Sequence, residues 1–218
     1  YEKIHLVPFG EYVPFRNSFP IFVWLTGGVI EQDFSPGTSY DNLDLVKGED
    51  TIKIAPLICF EDTLARHARK TLLEGVPQIF VNVTNDGWFY DSVQPQQHFA
   101  NAMFRCIEFR RPMIRAANTG VSGVIDARGS AYERNRFMLV DGEKKPILRT
   151  IHDMDTGYTF ISGSLPATIA IDRDPPTTIY AKIGDTFSIA MGSFATVYAA
   201  AYFWLTRRTR KQKQNNEA

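Results

Sequence analysis

Apolar positions along this chain change their spacing several times, and each change marks an expected element. Ile4 to Phe9 reads as an apolar strand already under way at the start. After a turn at Gly48–Asp50, residues 52–60 (IKIAPLICF) read as a buried strand ending near Cys59. Residues 61–74 (EDTLARHARKTLLE) then switch to helical spacing, with Leu64, Ala68, Leu72 and Leu73 towards one face and most charges elsewhere. Gly75 and Pro77 stop that helix. Residues 78–84 (QIFVNVT) are β-branched and apolar, as in a strand of a sheet covered on both faces. A loop from Asn85 to Pro95 leads to a helix from about Gln96 to Arg110, closed by Pro112. Short strands at 113–117 and 121–126 flank a turn at Asn118–Gly120, and another strand is expected after Gly129. Strands alternating with helices predict an α/β layered fold.

The tail changes character. Phe187 to Thr206 (FSIAMGSFATVYAAAYFWLT) carries no charge over 20 residues. At 1.5 Å per residue such a helix spans the roughly 30 Å hydrocarbon core of a bilayer. A buried core helix would share the composition, since Ala and Gly dilute the hydrophobicity. Tyr202, Phe203 and Trp204 sit where an interfacial belt belongs, and Arg207, Arg208, Arg210 and Lys211 follow at once, which favours the membrane span. The expected divisions are a domain at 1–184, a transmembrane helix at 185–206 and a basic tail at 207–218. The positive-inside tendency places the tail in the cytoplasm and the α/β body outside, periplasmic in a Gram-negative cell.

Charge reinforces that division. The net charge of zero conceals a basic tail, and the remaining 206 residues carry 19 basic and 23 acidic groups, a net of −4. Nucleic-acid binding by the body is therefore not expected. Two cysteines, Cys59 and Cys106, allow one disulfide at most, and the four scattered histidines show no metal-ligand spacing. No metal or other cofactor is implied.

Cys59 closes an apolar strand and directly precedes acidic Glu61 and Asp62. A side chain on such an elbow stands at the sheet edge, close to backbone N–H groups that favour a thiolate and a developing oxyanion. It is equally the place for a buried structural cysteine. Lys3, at a strand's start, offers a fixed positive charge, and Glu11, beyond a Pro/Gly turn, offers a partner for that lysine or for substrate. Taken singly, each is an ordinary surface charge. Trp88, in Asn85-Asp86-Gly87-Trp88-Phe89, either lines a pocket or covers a core edge. Residues 15–25 (FRNSFPIFVWL) either form a lid that touches lipid or pack against the sheet. Arg105 and Glu108 have the i, i+3 spacing of a helix-face pair, and Cys106 falls in mid-helix, as a core residue does.

Four ordered segments bring these residues together: KIHLVPFGEYVP, LICFED, VTNDGWF and QHFANAMFRCIEFRRPMIRAANTGVSGVID. The series resembles the apolipoprotein N-acyltransferase family of the nitrilase (carbon-nitrogen hydrolase) superfamily, and the likeness runs from residue 1 to IYAKIGD before the tail. That resemblance implies an αββα sandwich, incomplete at its N-terminus, followed by one transmembrane helix. It implies Cys59 as nucleophile and Lys3 as catalytic lysine, with Glu11 and Glu61 as accessory glutamates. The family's glutamate general base is expected upstream of Lys3, so the chain reads as a carboxyl-terminal fragment, inactive alone. Phe60 stands where tyrosine is often found in the family; it removes a hydroxyl but keeps its backbone N–H.

The implied reaction moves a fatty acyl group from a membrane phospholipid, through a Cys59 thioester, to the α-amine of a diacylglyceryl-cysteine apolipoprotein. The implied setting is the bacterial inner membrane. Two alternatives stay open: a membrane-anchored amidohydrolase of the nitrilase type, whose thioester is taken by water, and an inactive scaffold tethered to the membrane. Residues 133–175 carry no assigned function.

Overall fold

Five strands form one mixed sheet in the order β1-β2-β3-β4-β5: β1 (Leu43–Lys47), β2 (Asp50–Ile58), β3 (Ile79–Thr84), β4 (Met113–Ala117) and β5 (Gly123–Ile125). The computed structural model describes residues 1–216 apart from 26, 28–29, 90–91, 141–142, 154–155 and 157, so the last two residues of the expected basic tail lie outside the described residues. The pairs β2–β3 and β3–β4 are parallel and the outer pairs antiparallel. Parallel neighbours need crossovers, and these are α2 (Ala65–Gly75) and α3 (Gln94–Phe109). A short α1 (Pro20–Leu25) precedes the sheet, and a separate antiparallel hairpin, β6 (Tyr132–Val140) with β7 (Glu143–Leu148), follows it. The fold is thus a mixed sheet with α/β crossovers; the described residues hold this one five-stranded sheet and a two-stranded hairpin, against the two stacked sheets of the expected sandwich.

Cross-strand partners point to the same side of a sheet, so the core is built in rows. Ala55, Phe80, Met113 and Ile125 are successive partners across β2 to β5, and all four are fully buried. Ala68 and Leu72 of α2 and Ala102, Cys106 and Phe109 of α3 pack in the same cluster. Phe80 and Phe109 meet edge to face with ring centroids 6.0 Å apart. The next row on this face is Leu57, Asn82, Arg115 and Gly123, whose central pair is polar yet buried. On the opposite face Val83 and Ile114 remain exposed.

Two expectations differ from what is found, and one strand was not foreseen. Residues 4–9 form no strand beyond a single bridge from Pro8 to Tyr12; their N–H groups bond to carboxylates instead of a neighbouring ladder. The helix expected over 61–74 is broken into a 3-10 turn, Cys59–Thr63, and α2, separated by extended Leu64. Glu61 and Asp62 are fully buried, Glu61 bonded to the N-terminal segment and Asp62 to His98 and Arg115. Strand β1 is exposed along its whole length and carries no buried stripe to betray it.

The segment after β7 is sewn back onto the first unit, Tyr1–Ala181. Fully buried Arg111 donates to the carbonyls of Pro77, Phe109, Pro175 and Pro176, and burial lowers its pKa to about 10. The Thr178 hydroxyl donates to the Glu108 carbonyl, and Arg69 Nε donates to that of Ala181 at 2.7 Å. After the short α4 (Ile179–Ile183), the second unit, Lys182–Ala218, is dominated by α5 (Thr186–Asn216). Its stretch Thr186–Arg207, 22 residues with none of the window buried, is long and apolar enough to cross a membrane. At 1.5 Å per residue it measures about 33 Å.

Candidate active site

Cys59 occupies the sharp corner between β2 and the 3-10 turn, and it does so in the left-handed region at φ 54°. A non-glycine residue there costs on the order of 1–3 kcal/mol and persists only where the surroundings over-determine it. Its thiol is free and partly exposed, whereas Cys106 is fully buried in α3, as its mid-helix place predicts. Burial pushes the Cys106 thiol well above its ordinary pKa.

Two glutamates fasten the N-terminal segment that carries Lys3. Both Glu11 carboxylate oxygens lie 2.7 Å from Lys3 Nζ, and Oε2 also accepts from the Val7 N–H at 2.8 Å. Glu61, fully buried, takes the N–H groups of Ile4 and His5 on Oε1 at 2.8 and 3.0 Å. Its Oε2 takes the Ile58 N–H at 2.8 Å and the Tyr1 hydroxyl at 3.0 Å. The backbone on the C-terminal side of Lys3 is therefore tied directly to the turn that begins at Cys59. Lys3 Nζ stands 5.7 Å from the centroid of the Phe60 ring.

Behind the corner lies a closed circuit of four buried charges. His98 Nε2 contacts Asp62 Oδ1 at 2.7 Å and Nδ1 contacts Asp86 Oδ1 at 2.8 Å. Arg115 closes the circuit by donating from NH1 to Asp62 Oδ2 and from NH2 to Asp86 Oδ2, the latter at 3.0 Å. Burial alone would pull the His98 pKa down, but hydrogen bonds to Asp62 and Asp86 more than reverse that, pushing it up to about 9. Burial likewise opposes ionisation of Asp86, yet the His98 bond and charge, with Arg115, hold its carboxyl below its usual pKa. Both ring nitrogens of His98 face acceptors, so the ring is a fixed imidazolium with no lone pair to offer as a base. Gly120, at φ 114°, gives Asp86 its room: a Cβ there would stand 2.6 Å from Asp86 Oδ2.

Cys59, Phe60, Glu11 and Trp88 line one cleft of about 380 Å3, together with Val7, Pro8, Phe9, Gly10, Thr63, Asp86, Gln94 and His98. Its walls are mostly apolar side chains, and Trp88 is largely exposed at the edge. Phe9 carries on outward through edge-to-face contacts, Phe9 to Phe22, Phe22 to Phe19 and Phe19 to Phe15, at centroid distances of 5.8–6.1 Å. A larger cleft, about 860 Å3, lies between Arg110, Arg128, Asp172, Pro175 and Pro176 and has no cysteine or serine among the described residues of its walls. Of the site residues expected from sequence (Cys59, Lys3, Glu11, Glu61, Phe60 and Trp88), Glu61 alone is fully buried. Arg105 and Glu108 do pair, at 2.8 Å, and Arg105 also donates to the Thr63 carbonyl at 3.0 Å. Asn82, Asp62, Asp86, His98 and Arg115 were missed as a unit. The signal for them was a polar residue in mid-strand, Asn82 in IFVNVT and Arg115 in MIRAA, which needs a partner once buried. Among the described residues no group of three or more His, Cys, Asp or Glu side chains is arranged to hold a metal ion.

Residues 1–137 match the carbon-nitrogen hydrolase family. The chain belongs to that family. Within this carbon-nitrogen hydrolase family it is a homologue of apolipoprotein N-acyltransferases: it is 44% identical over 128 residues to that of Geobacter metallireducens, covering 59% of this chain. It is 33% identical over 210 residues to that of Bradyrhizobium diazoefficiens, covering 91% of this chain. The chain spans 23% of the length of the first relative and 32% of the second. Among solved structures, a mutant form of an amidase of the nitrilase superfamily from Nesterenkonia AN1 aligns over 73% of this chain and 51% of its own. That alignment has 16% identity and a TM-score of 0.40, too slight a likeness to bear on the site.

Proposed function

We propose that this carbon-nitrogen hydrolase homologue is an acyltransferase of the inner membrane, moving a fatty acyl group from phospholipid to the N-terminal amine of a diacylglyceryl-cysteine apolipoprotein. The observation that carries the reading is the cleft: a free cysteine at a strained corner lines it with Val7, Pro8, Phe9, Phe60 and Trp88, and a lysine clamped by Glu11 stands over the Phe60 ring. An acyl chain suits such walls, and a small polar amide does not use them. The similarity to apolipoprotein N-acyltransferases and the apolar stretch of α5 support the same substrate class.

In this mechanism Cys59 Sγ loses its proton to the general base that the resemblance implies and attacks the ester carbonyl of the phospholipid. Lys3 and the Phe60 N–H stabilise the oxyanion. The C–O bond breaks, the lysophospholipid alcohol leaves with a proton, and a thioester remains on Cys59. The acceptor's α-amine then attacks the thioester, the C–S bond breaks, and the amide forms as the thiol is restored. Glu11 positions Lys3, to which both its oxygens are committed, and Glu61 positions the backbone that carries it. The body faces the periplasm and the basic tail the cytoplasm.

The test uses the full-length protein in detergent with a phospholipid bearing a labelled acyl chain. Intact-protein mass spectrometry is expected to find a hydroxylamine-sensitive acyl adduct that Cys59→Ala abolishes and that a diacylglyceryl peptide with a free amine discharges. No adduct, with Cys59-dependent hydrolysis of small amides, would replace the transferase by an amidohydrolase. Neither activity would leave a scaffold.

A further inference from the structure

The circuit of buried charges touches the candidate nucleophile through one residue. Asn82 Nδ2 donates to the Cys59 carbonyl at 2.9 Å, and Asn82 Oδ1 accepts from Arg115 NH1 at 2.9 Å. Arginine can only donate and a carbonyl can only accept, so the amide of Asn82 has one permitted orientation. Arg115 is itself held at every side: Nε donates to the Val121 carbonyl at 3.2 Å, NH1 to Asp62 and NH2 to Asp86. Asp62 lies three residues after Cys59 in the same 3-10 turn. One guanidinium therefore grips both ends of that turn, the Cys59 carbonyl through Asn82 and the Asp62 carboxylate directly.

We propose that Asn82 and Arg115 form a strut that holds Cys59 in its left-handed conformation and aims its thiol into the apolar cleft, making both of them positioning residues. The proposal rests on Cys59 being the nucleophile of that cleft. Without the Asn82 bond the Cys59 carbonyl keeps only the backbone bonding of the 3-10 turn, and the corner relaxes towards an ordinary φ. The thiol then turns from the cleft while the apolar row beneath, Ala55 to Ile125, stays packed. Arg115→Lys keeps a positive charge but gives up the planar fork that reaches Asn82, Asp62 and Asp86 together.

The experiment measures Cys59 alkylation in the full-length protein in detergent by a chloroacetamide with a dodecyl chain, which must enter the cleft to react. Iodoacetamide, which needs only an exposed thiol, serves as the comparison reagent. Cys106 is an internal control, since a fully buried thiol labels only when the fold opens. Asn82→Ala is expected to slow the long-chain reagent by about tenfold to a hundredfold, the scale of a misplaced reacting group. Over the same time iodoacetamide labelling changes by less than about threefold, and Cys106 stays unlabelled. Asn82→Asp, which keeps the acceptor for Arg115 and faces an oxygen to the Cys59 carbonyl, is expected to slow it at least as much. Should both variants label Cys106, Arg115→Lys is read by the same ratio of the two reagents. Long-chain alkylation within about twofold of wild type, with Cys106 protected, overturns the strut, because misplacement on the scale of an ångström costs far more. A parallel slowing of both reagents overturns it as well. These readouts need no acyl transfer. A wild type that takes no acyl group from phospholipid, yet shows the reagent contrast, loses the proposed function and keeps the strut; the reverse pattern does the opposite.

Discussion

His67 and His98 are both buried histidines on crossover helices, yet their surroundings drive them in opposite directions. His67 sits by the N-terminal clamp, with Nε2 3.1 Å from the Tyr1 hydroxyl and 3.7 Å from Glu61, while its Nδ1 has no hydrogen-bond partner among the described residues. Burial lowers its pKa to about 4; the Glu61 charge opposes this but is outweighed, and His5 and Lys70 push the same way as burial. His98 has a carboxylate on each nitrogen and is held near 9. The difference lies in how the carboxylates are used. Glu61 already serves four donors from the backbone and Tyr1, whereas Asp62 and Asp86 each keep an oxygen for His98. A buried histidine is charged or neutral according to what its neighbours have left to give.

Breaking the charged circuit has the largest expected effect. Arg115→Met leaves Asp62 and Asp86 with His98 as their remaining shared counter-charge, and removing one partner of a buried ion pair costs about 3–5 kcal/mol. Thermal melting reads the loss.

Acid and alkali separate the two histidines next. Taking 6.5 as the unfolded value, the raised pKa of His98 contributes stability that is complete below pH 6.5 and lost as pH climbs through about 9. The depressed pKa of His67 contributes stability present above pH 6.5 and lost as pH falls towards about 4. Each limb is on the order of 3 kcal/mol. Urea unfolding against pH is expected to peak near neutrality; His98→Gln flattens the alkaline limb and His67→Gln the acid limb.

Glu61→Gln tests the clamp. It replaces an acceptor of four hydrogen bonds by a group that must turn a donor towards two of them, at a cost of about 1–3 kcal/mol. Limited proteolysis is expected to cut first within residues 1–10. The smallest effect is expected at Thr84, whose hydroxyl donates to Asp86 Oδ1 at 3.0 Å. Thr84→Val costs about 1 kcal/mol and, by removing one donor from Asp86, moves the alkaline limb slightly upward.

The elements that stand on local signals were legible in the sequence. Strand β4 falls on residues 113–117 as its apolar run predicts, and α3 starts two residues early because Pro95 fits a helix's first turn. The corner at Cys59 was legible from the switch of period. What the sequence hid was the identity of its supports, because Asp62, Asn82, Asp86, His98 and Arg115 come from the 3-10 turn, β3, the loop after it, α3 and β4. No local pattern links positions 53 residues apart, as Asp62 and Arg115 are. The N-terminal segment misled for a related reason. Its apolar run looks like a strand, but its donors are satisfied by Glu61 and Glu11, which a pattern of hydrophobicity does not register.

The stitching of residues 175–181 has a mechanical meaning. Tension drawn along the backbone from α5 reaches the Arg69, Thr178 and Arg111 bonds before it reaches any strand of the sheet. The Arg111 guanidinium grips two consecutive carbonyls on one side and the Pro77 and Phe109 carbonyls on the other, so it bears load as a rivet between two lengths of chain. A tug on the tail therefore peels this seam first and spares the corner that holds Cys59.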